Sequence, residues 1–177
     1  ILPLILVLTS LFSCGEKDVF VKENIIPTPK EFVLDNDKLH KINETVVLET
    51  SDKLSYPQNK DEYYLKIEKG NVIIEGNEIW AKQTLSQLQD KEGRVPDVEI
   101  HDWSAYPFRG FMHDTGRNFQ TLEMLKETID LMSLYKINYF HWHLTDNPAW
   151  RIECKVYPQL NDPQYQRPGR DCGKFYT

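Results

Sequence analysis

The chain has 177 residues, of which 40% are hydrophobic and 27% charged, and its formal net charge is -6. That composition excludes collagen, coiled-coil and disordered classes. The acidic balance excludes a nucleic-acid partner, which requires a basic face, and the length allows one or two domains.

Residue 1 is Ile rather than Met, which suggests a piece of a longer sequence. Ile1 to Phe12 form a nearly continuous apolar run. The run is shorter than the roughly 20 residues of a membrane-spanning helix and fits the hydrophobic core of a signal peptide. Leu11-Phe12-Ser13-Cys14 resembles the bacterial lipobox, with Cys14 as the lipidated residue. Residues 1–14 are therefore expected to be a leader and 15–23 a tether, in a protein held at a membrane of the bacterial cell envelope by a lipid anchor. A plain signal peptide that happens to contain a cysteine is the alternative. Cys154 and Cys172 are either a disulfide pair or two free thiols, a choice that spacing does not make, and no zinc-type cluster of Cys and His is present.

The prolines of Ile25-Ile26-Pro27-Thr28-Pro29 predict an extended entry. Alternation predicts strands over Lys30 to Leu34 and Thr45 to Glu49, and a polar loop over residues 52–62. Tyr63 to Glu68 and Val72 to Glu75 flank a Lys69-Gly70-Asn71 turn and read as a hairpin. Asn77 is an N-cap for a helix over Glu78 to Gln89 whose apolar face is Ile79, Trp80, Ala81, Leu85 and Leu88. A short strand over Val98 to Ile100 completes a small α+β module spanning 24–104.

From residue 105 the pattern changes. Phe108 to His113 reads as a strand, and Thr121 caps a helix over Leu122 to Tyr135 with Leu122, Leu125, Ile129 and Met132 on one stripe. Ile137 to Leu144 reads as a buried strand. Strand, helix and strand at this spacing form a βαβ unit with parallel strands. A long proline-bearing loop follows, where a barrel enzyme builds its site.

Polar residues cluster where these two strands end. Asp114 and Arg117 follow the first; Thr145 and Asp146 follow the second. Arg117 offers five donors and no acceptor, which suits sugar hydroxyls or a carboxylate. His141 and His143, two apart, share one face of a strand. Each has a plainer reading: a solvated or ion-paired arginine, an Asp146 that caps a short helix, interior histidines, and Trp142 and Trp150 as packing residues.

The segments Arg109-Gly110-Phe111-Met112-His113-Asp114-Thr115-Gly116-Arg117-Asn118-Phe119 and Phe140-His141-Trp142-His143-Leu144-Thr145-Asp146-Asn147-Pro148-Ala149-Trp150-Arg151 together resemble the opening of the barrel of glycoside hydrolase family 20. The similarity runs on through Tyr157-Pro158 to Gly173-Lys174-Phe175-Tyr176-Thr177, and residues 24–104 resemble the small domain before that barrel. The resemblance implies an α/β fold class: a small α+β domain followed by the first βαβ portion of a (β/α)8 barrel over 105–177, incomplete in this chain. It implies an exo-acting, retaining β-N-acetylhexosaminidase. In such enzymes the substrate's acetamido oxygen attacks the anomeric carbon, an Asp orients the acetamide and an adjacent Glu protonates the leaving oxygen. Glycans carrying terminal N-acetylglucosamine or N-acetylgalactosamine are the implied partners, with no metal and no cofactor.

By the same resemblance Arg117 holds the ring hydroxyls of the terminal sugar, and Asp146 supports a histidine relay. Asp114, His143 and Trp150 are supporting residues. Asn147-Pro148-Ala149 departs from the family's usual Asp-Gln-Gly, which questions the local ion pairing. His113 stands where an apolar residue is usual. The family's catalytic Asp-Glu pair has no counterpart here: the one Asp-Glu step, Asp61-Glu62, falls in the polar loop and is expected to be solvated surface. The chain by itself is therefore expected to be inactive. Two rivals stand: a metal-dependent amidohydrolase-like barrel with His141 and His143 as ligands, and a lipoprotein that binds amino sugars without cleaving them.

Overall fold

The structure, a computed structural model, describes residues 22–56, 59–169 and 171–177. The leader, Cys14 and the first part of the tether lie outside the described residues. Among the described residues no helix is long and apolar enough to cross a membrane.

Five strands form one sheet: β1 (Glu31–Lys41), β2 (Glu44–Leu48), β3 (Tyr63–Glu68), β4 (Asn71–Gly76) and β5 (Arg94–Asp102), in the order β1-β5-β3-β4-β2. All pairs are antiparallel except β2 with β4. Helix α1 (Glu78–Leu88) lies across it. Leu65, Ile67, Val72, Ile74, Val98 and Ile100 supply the apolar face of the sheet, and Ala81, Leu85 and Leu88 supply that of the helix. Each fully buried aliphatic chain of this kind stabilises by roughly 1.5–3 kcal/mol. The N-cap is as expected: the Asn77 side chain accepts from the Trp80 amide at 2.9 Å. Ile79, expected on the buried face, is 70% exposed. It stands two residues from Ala81, and such neighbours do not share a helix face; Thr84 lies on the buried side instead.

The strand expected over Val98 to Ile100 begins earlier, at Arg94, and runs through Pro96. Pro96 is tolerated because β3 pairs β5 only from Val98 onward. On the β1 side the register skips between the pairs Asn36↔Asp97 and His40↔Val95, so nothing requires an amide hydrogen there. The Lys69-Gly70 turn joins β3 to β4 with φ of 49 and 82 at its two residues, the conformation of a tight primed hairpin. A Cβ on Gly70 would come within 2.1 Å of the Lys41 carbonyl oxygen. Gly70→Ala is expected to destabilise the chain by about 1–3 kcal/mol, read as a lower urea midpoint.

The second part is smaller. Strand β6 (Gly110–Asp114), helix α2 (Leu122–Leu134) and strand β7 (Tyr139–His143) form the expected βαβ unit, with β6 and β7 parallel. The described residues are thus mixed α/β and contain no closed barrel. Thr121 caps α2 through the Met124 amide. Of the expected stripe, Leu125 and Met132 are buried, while Leu122 and Ile129 are each 46% exposed. A stripe that wide overhangs the two strands beneath it. Strand β7 was expected to be buried and is not: Tyr139 is 53% exposed, because among the described residues β7 pairs with β6 alone.

Buried charges tie the two parts together. Lys136, 6% exposed, donates from Nζ to Asp102 Oδ2 at 3.0 Å and to the Tyr63 hydroxyl at 2.9 Å. Arg109 donates from Nη1 to Asp61 Oδ2 at 2.6 Å and from Nε to the Lys136 carbonyl at 2.8 Å. The Asp61-Glu62 step is accordingly not solvated surface. Glu62 is 3% exposed and accepts from the Ser55 and Tyr56 amides and the His101 ring. Asp61 accepts from Trp80 Nε1, Ser104 Oγ and Arg109. Burial alone would raise the Asp61 carboxyl, but those three donors and the charge of Arg109 hold it below the usual range. Asp61 serves the seam, and Glu62 braces the loop before β3 against β5.

Candidate active site

Parallel register sets Asp114 directly opposite His143 at the C-terminal ends of β6 and β7. With a period of two, Met112, Asp114, His141 and His143 share one face of the pair. Phe111, His113, Phe140 and Trp142 share the other; there the His113 ring meets those of Phe111 and Phe140 edge-on. His113 therefore belongs to the aromatic layer.

Past β6 the chain turns sharply over the end of β7. The amides of Thr115 and Gly116 both donate to the His143 carbonyl, at 3.0 and 3.1 Å. Trp142 donates from Nε1 to the Thr115 hydroxyl at 2.9 Å and is a packing residue. Gly116 is closely packed: a Cβ there would stand 3.2 Å from Asp146 Cβ and 3.3 Å from Asp114 Oδ1 and would press on both aspartates. This turn delivers Arg117 to the strand ends.

Arg117 meets both carboxylates. Its amide donates to Asp114 Oδ1 at 3.0 Å, Nη1 pairs with Asp114 Oδ2, and Nη2 reaches Asp146 Oδ2 at 2.8 Å. The same Asp146 oxygen lies 3.0 Å from His143 Nε2. Burial pushes Asp114 up, yet the hydrogen bonds and charge of Arg117 outweigh it and leave the carboxyl low. Asp146 is held low first by His143, then by the Asn147 amide, and then by Arg117. The Arg117 side chain keeps 55% of its surface exposed, so part of its five-donor fork is open to a ligand.

Asp146 and Trp150 sit on a short hairpin, β8 (Thr145–Asp146) with β9 (Ala149–Trp150). Asn147 contributes its amide to Asp146 Oδ1 at 2.6 Å. Asp146 is ion-paired with Arg117 and hydrogen-bonded to His143, so the neutral residue at 147 leaves both contacts intact. Trp150, opposite Thr145, is 36% exposed. Asp114, His143 and Asp146 could together present three metal-ligand atoms within 4.8 Å of one another, a set that does not include His141. The Arg117 guanidinium already contacts both aspartates of that set and supplies the compensating charge. Cys154 and Cys172 are free thiols, both half-buried.

One residue of the site went unread in the sequence. Arg151, next to Trp150, is 3% exposed and donates to four backbone carbonyls around the Arg117 turn. Alternation between Trp150 and Ile152 would turn it outward, yet Trp150 and Ile152 are the exposed residues, at 36% and 41%.

Residues 106–177 match the model of the catalytic domain of glycosyl hydrolase family 20. The chain belongs to that family. It is 40% identical over 138 residues to a β-hexosaminidase of Porphyromonas gingivalis, a match covering 68% of this chain and 18% of that protein. A Vibrio furnissii β-hexosaminidase is 35% identical over 151 residues, covering 75% of this chain and 24% of that protein. The crystal structure of a β-N-acetylhexosaminidase from Bacteroides fragilis superposes with a TM-score of 0.71 at 28% identity, over 86% of this chain and 39% of the other. The chain therefore spans well under half the length of these relatives.

Proposed function

We propose that this family 20 chain forms the sugar-positioning side of the active site of an exo-acting, retaining β-N-acetylhexosaminidase. The observation that carries the reading is the exposed Arg117 fork, clamped by Asp114 and Asp146 at the C-terminal ends of two adjacent parallel strands, the edge where α/β folds bind ligands. Hydroxyl oxygens of a terminal N-acetylhexosamine accept from the free N–H groups of Arg117. The carboxylates fix the guanidinium so that little ordering is left for the binding step. Arg117 binds and orients; it does not exchange a proton.

Two measurements test the reading. In a nuclear magnetic resonance titration with N-acetylglucosamine, shifts are expected at Arg117, Asp114 and Asp146; shifts confined to other residues would refute the assignment. Asp61 is committed to Arg109 at the seam and Glu62 to His101 within the first part, so this Asp-Glu step is not free to serve beside Arg117. The 177-residue chain is therefore expected to release no chromophore from an aryl N-acetylglucosaminide, and measurable release would show that other residues perform the acid step. A chain that binds without cleaving is also what an amino-sugar-binding lipoprotein would give.

A further inference from the structure

The Arg117 turn has no regular secondary structure of its own, yet its conformation decides whether the fork meets both aspartates. Three chain segments converge on it, and one side chain joins them. Arg151 Nε donates to the Thr115 carbonyl at 3.0 Å and Nη2 to the Gly116 carbonyl at 3.4 Å. From the other side Nη1 donates to the carbonyls of Asp171 at 2.7 Å and Lys174 at 2.8 Å. The Arg151 backbone is itself fixed, with its amide on the Leu144 carbonyl and its carbonyl accepting from the Tyr176 amide. Burial pulls the guanidinium below the usual arginine value, and the charge of Asp171 offsets part of that. An arginine taken out of water to serve neutral carbonyls is a costly staple, and two of these carbonyls, those of Thr115 and Gly116, immediately precede Arg117.

We infer that Arg151 is a positioning residue for the sugar site. It holds the Thr115-Gly116 peptides so that Arg117 spans Asp114 and Asp146. The inference rests on the role proposed for Arg117. Arg167 assists from the other side by donating to the Arg117 carbonyl at 2.9 Å, but it is exposed and meets the turn at a single atom. Lysine cannot replace Arg151, because one ammonium has no planar fork to reach both loops at once.

The test compares Arg151→Lys with Leu125→Ala, a core change in α2 that lowers stability without touching the turn. Each protein is titrated with N-acetylglucosamine, and hydrogen exchange at the Arg117 guanidinium is followed by nuclear magnetic resonance. In Arg151→Lys, affinity is expected to fall about tenfold, in line with the cost of small misplacements, and the Arg117 N–H groups to exchange faster. Leu125→Ala is expected to lower the melting temperature and change neither. Equal losses in the two variants, or wild-type exchange in Arg151→Lys, would overturn the inference. If the wild-type chain shows no sugar shifts at Arg117, the functional proposal fails, while the exchange measurement still decides the role of Arg151.

Discussion

Lys136→Met is expected to destabilise the chain by about 3–5 kcal/mol, the usual cost of stranding one partner of a buried ion pair. Asp102 is 7% exposed, and Lys136 is the one cation that contacts it among the described residues. Burial pulls the Lys136 ammonium below the usual lysine value, and Asp102 offsets part of that pull. Removing the ammonium leaves the carboxylate with only the Tyr63 hydroxyl at 3.2 Å and the Lys30 amide at 3.1 Å. Adding Asp102→Asn to Lys136→Met is expected to recover much of the loss, because the buried group left behind is then neutral. Urea unfolding of the two single variants and the double variant reads the coupling. Equal losses for Lys136→Met alone and for the double variant would show that the pair is not what holds the seam.

The same residue shows what the sequence could and could not tell. Lys136 has φ 54, a conformation usually left to glycine. Its amide donates to the Ser133 carbonyl and that of Ile137 to the Met132 carbonyl, the double closure of a helix end. Glycine would close the helix with less strain but could not reach Asp102 or Tyr63. A lysine at the end of an amphipathic pattern reads as solvated, and only the fold brings it against a sheet built 34 residues earlier in the chain. Asp61-Glu62 misled for the same reason: polar composition marked a loop, and the partners that bury it, Arg109 and His101, are distant in sequence. Local signals fared better. The Asn77 and Thr121 caps, the hairpin turn and the parallel register of β6 with β7 each follow from residues close together or from one connection rule. The Arg117–Asp146 pair was legible because two strands of a βαβ unit end on the same edge. The staple made by Arg151 was not, because its acceptors are backbone atoms, which carry no sequence signature.

Arg117→Ala is expected to weaken N-acetylglucosamine binding roughly ten- to hundredfold, as loss of charge-assisted hydrogen bonds worth about 1.5–3 kcal/mol implies. Arg117→Lys is expected to recover only part, since a single ammonium cannot span two carboxylates and a sugar. The two aspartates should respond unequally. Asp114 is raised by burial and held low by the amide and side chain of Arg117; Arg117→Ala keeps the amide but removes the guanidinium's hydrogen bond and charge, so the Asp114 carboxyl is expected to rise. Asp146 keeps His143 and the Asn147 amide and is expected to stay low. In the unaltered chain both carboxyls are lowered on folding, so the clamp contributes fully above the ordinary aspartate range and is lost as pH falls through the lowered values. Sugar affinity is accordingly expected to persist as pH falls through the ordinary aspartate range and to be lost only below it. Carboxyl-carbon titrations of the two proteins check both points. An Asp114 that titrates identically with and without Arg117 would mean that the guanidinium does not rest between the strand ends, and the site would lose the feature that orients a sugar.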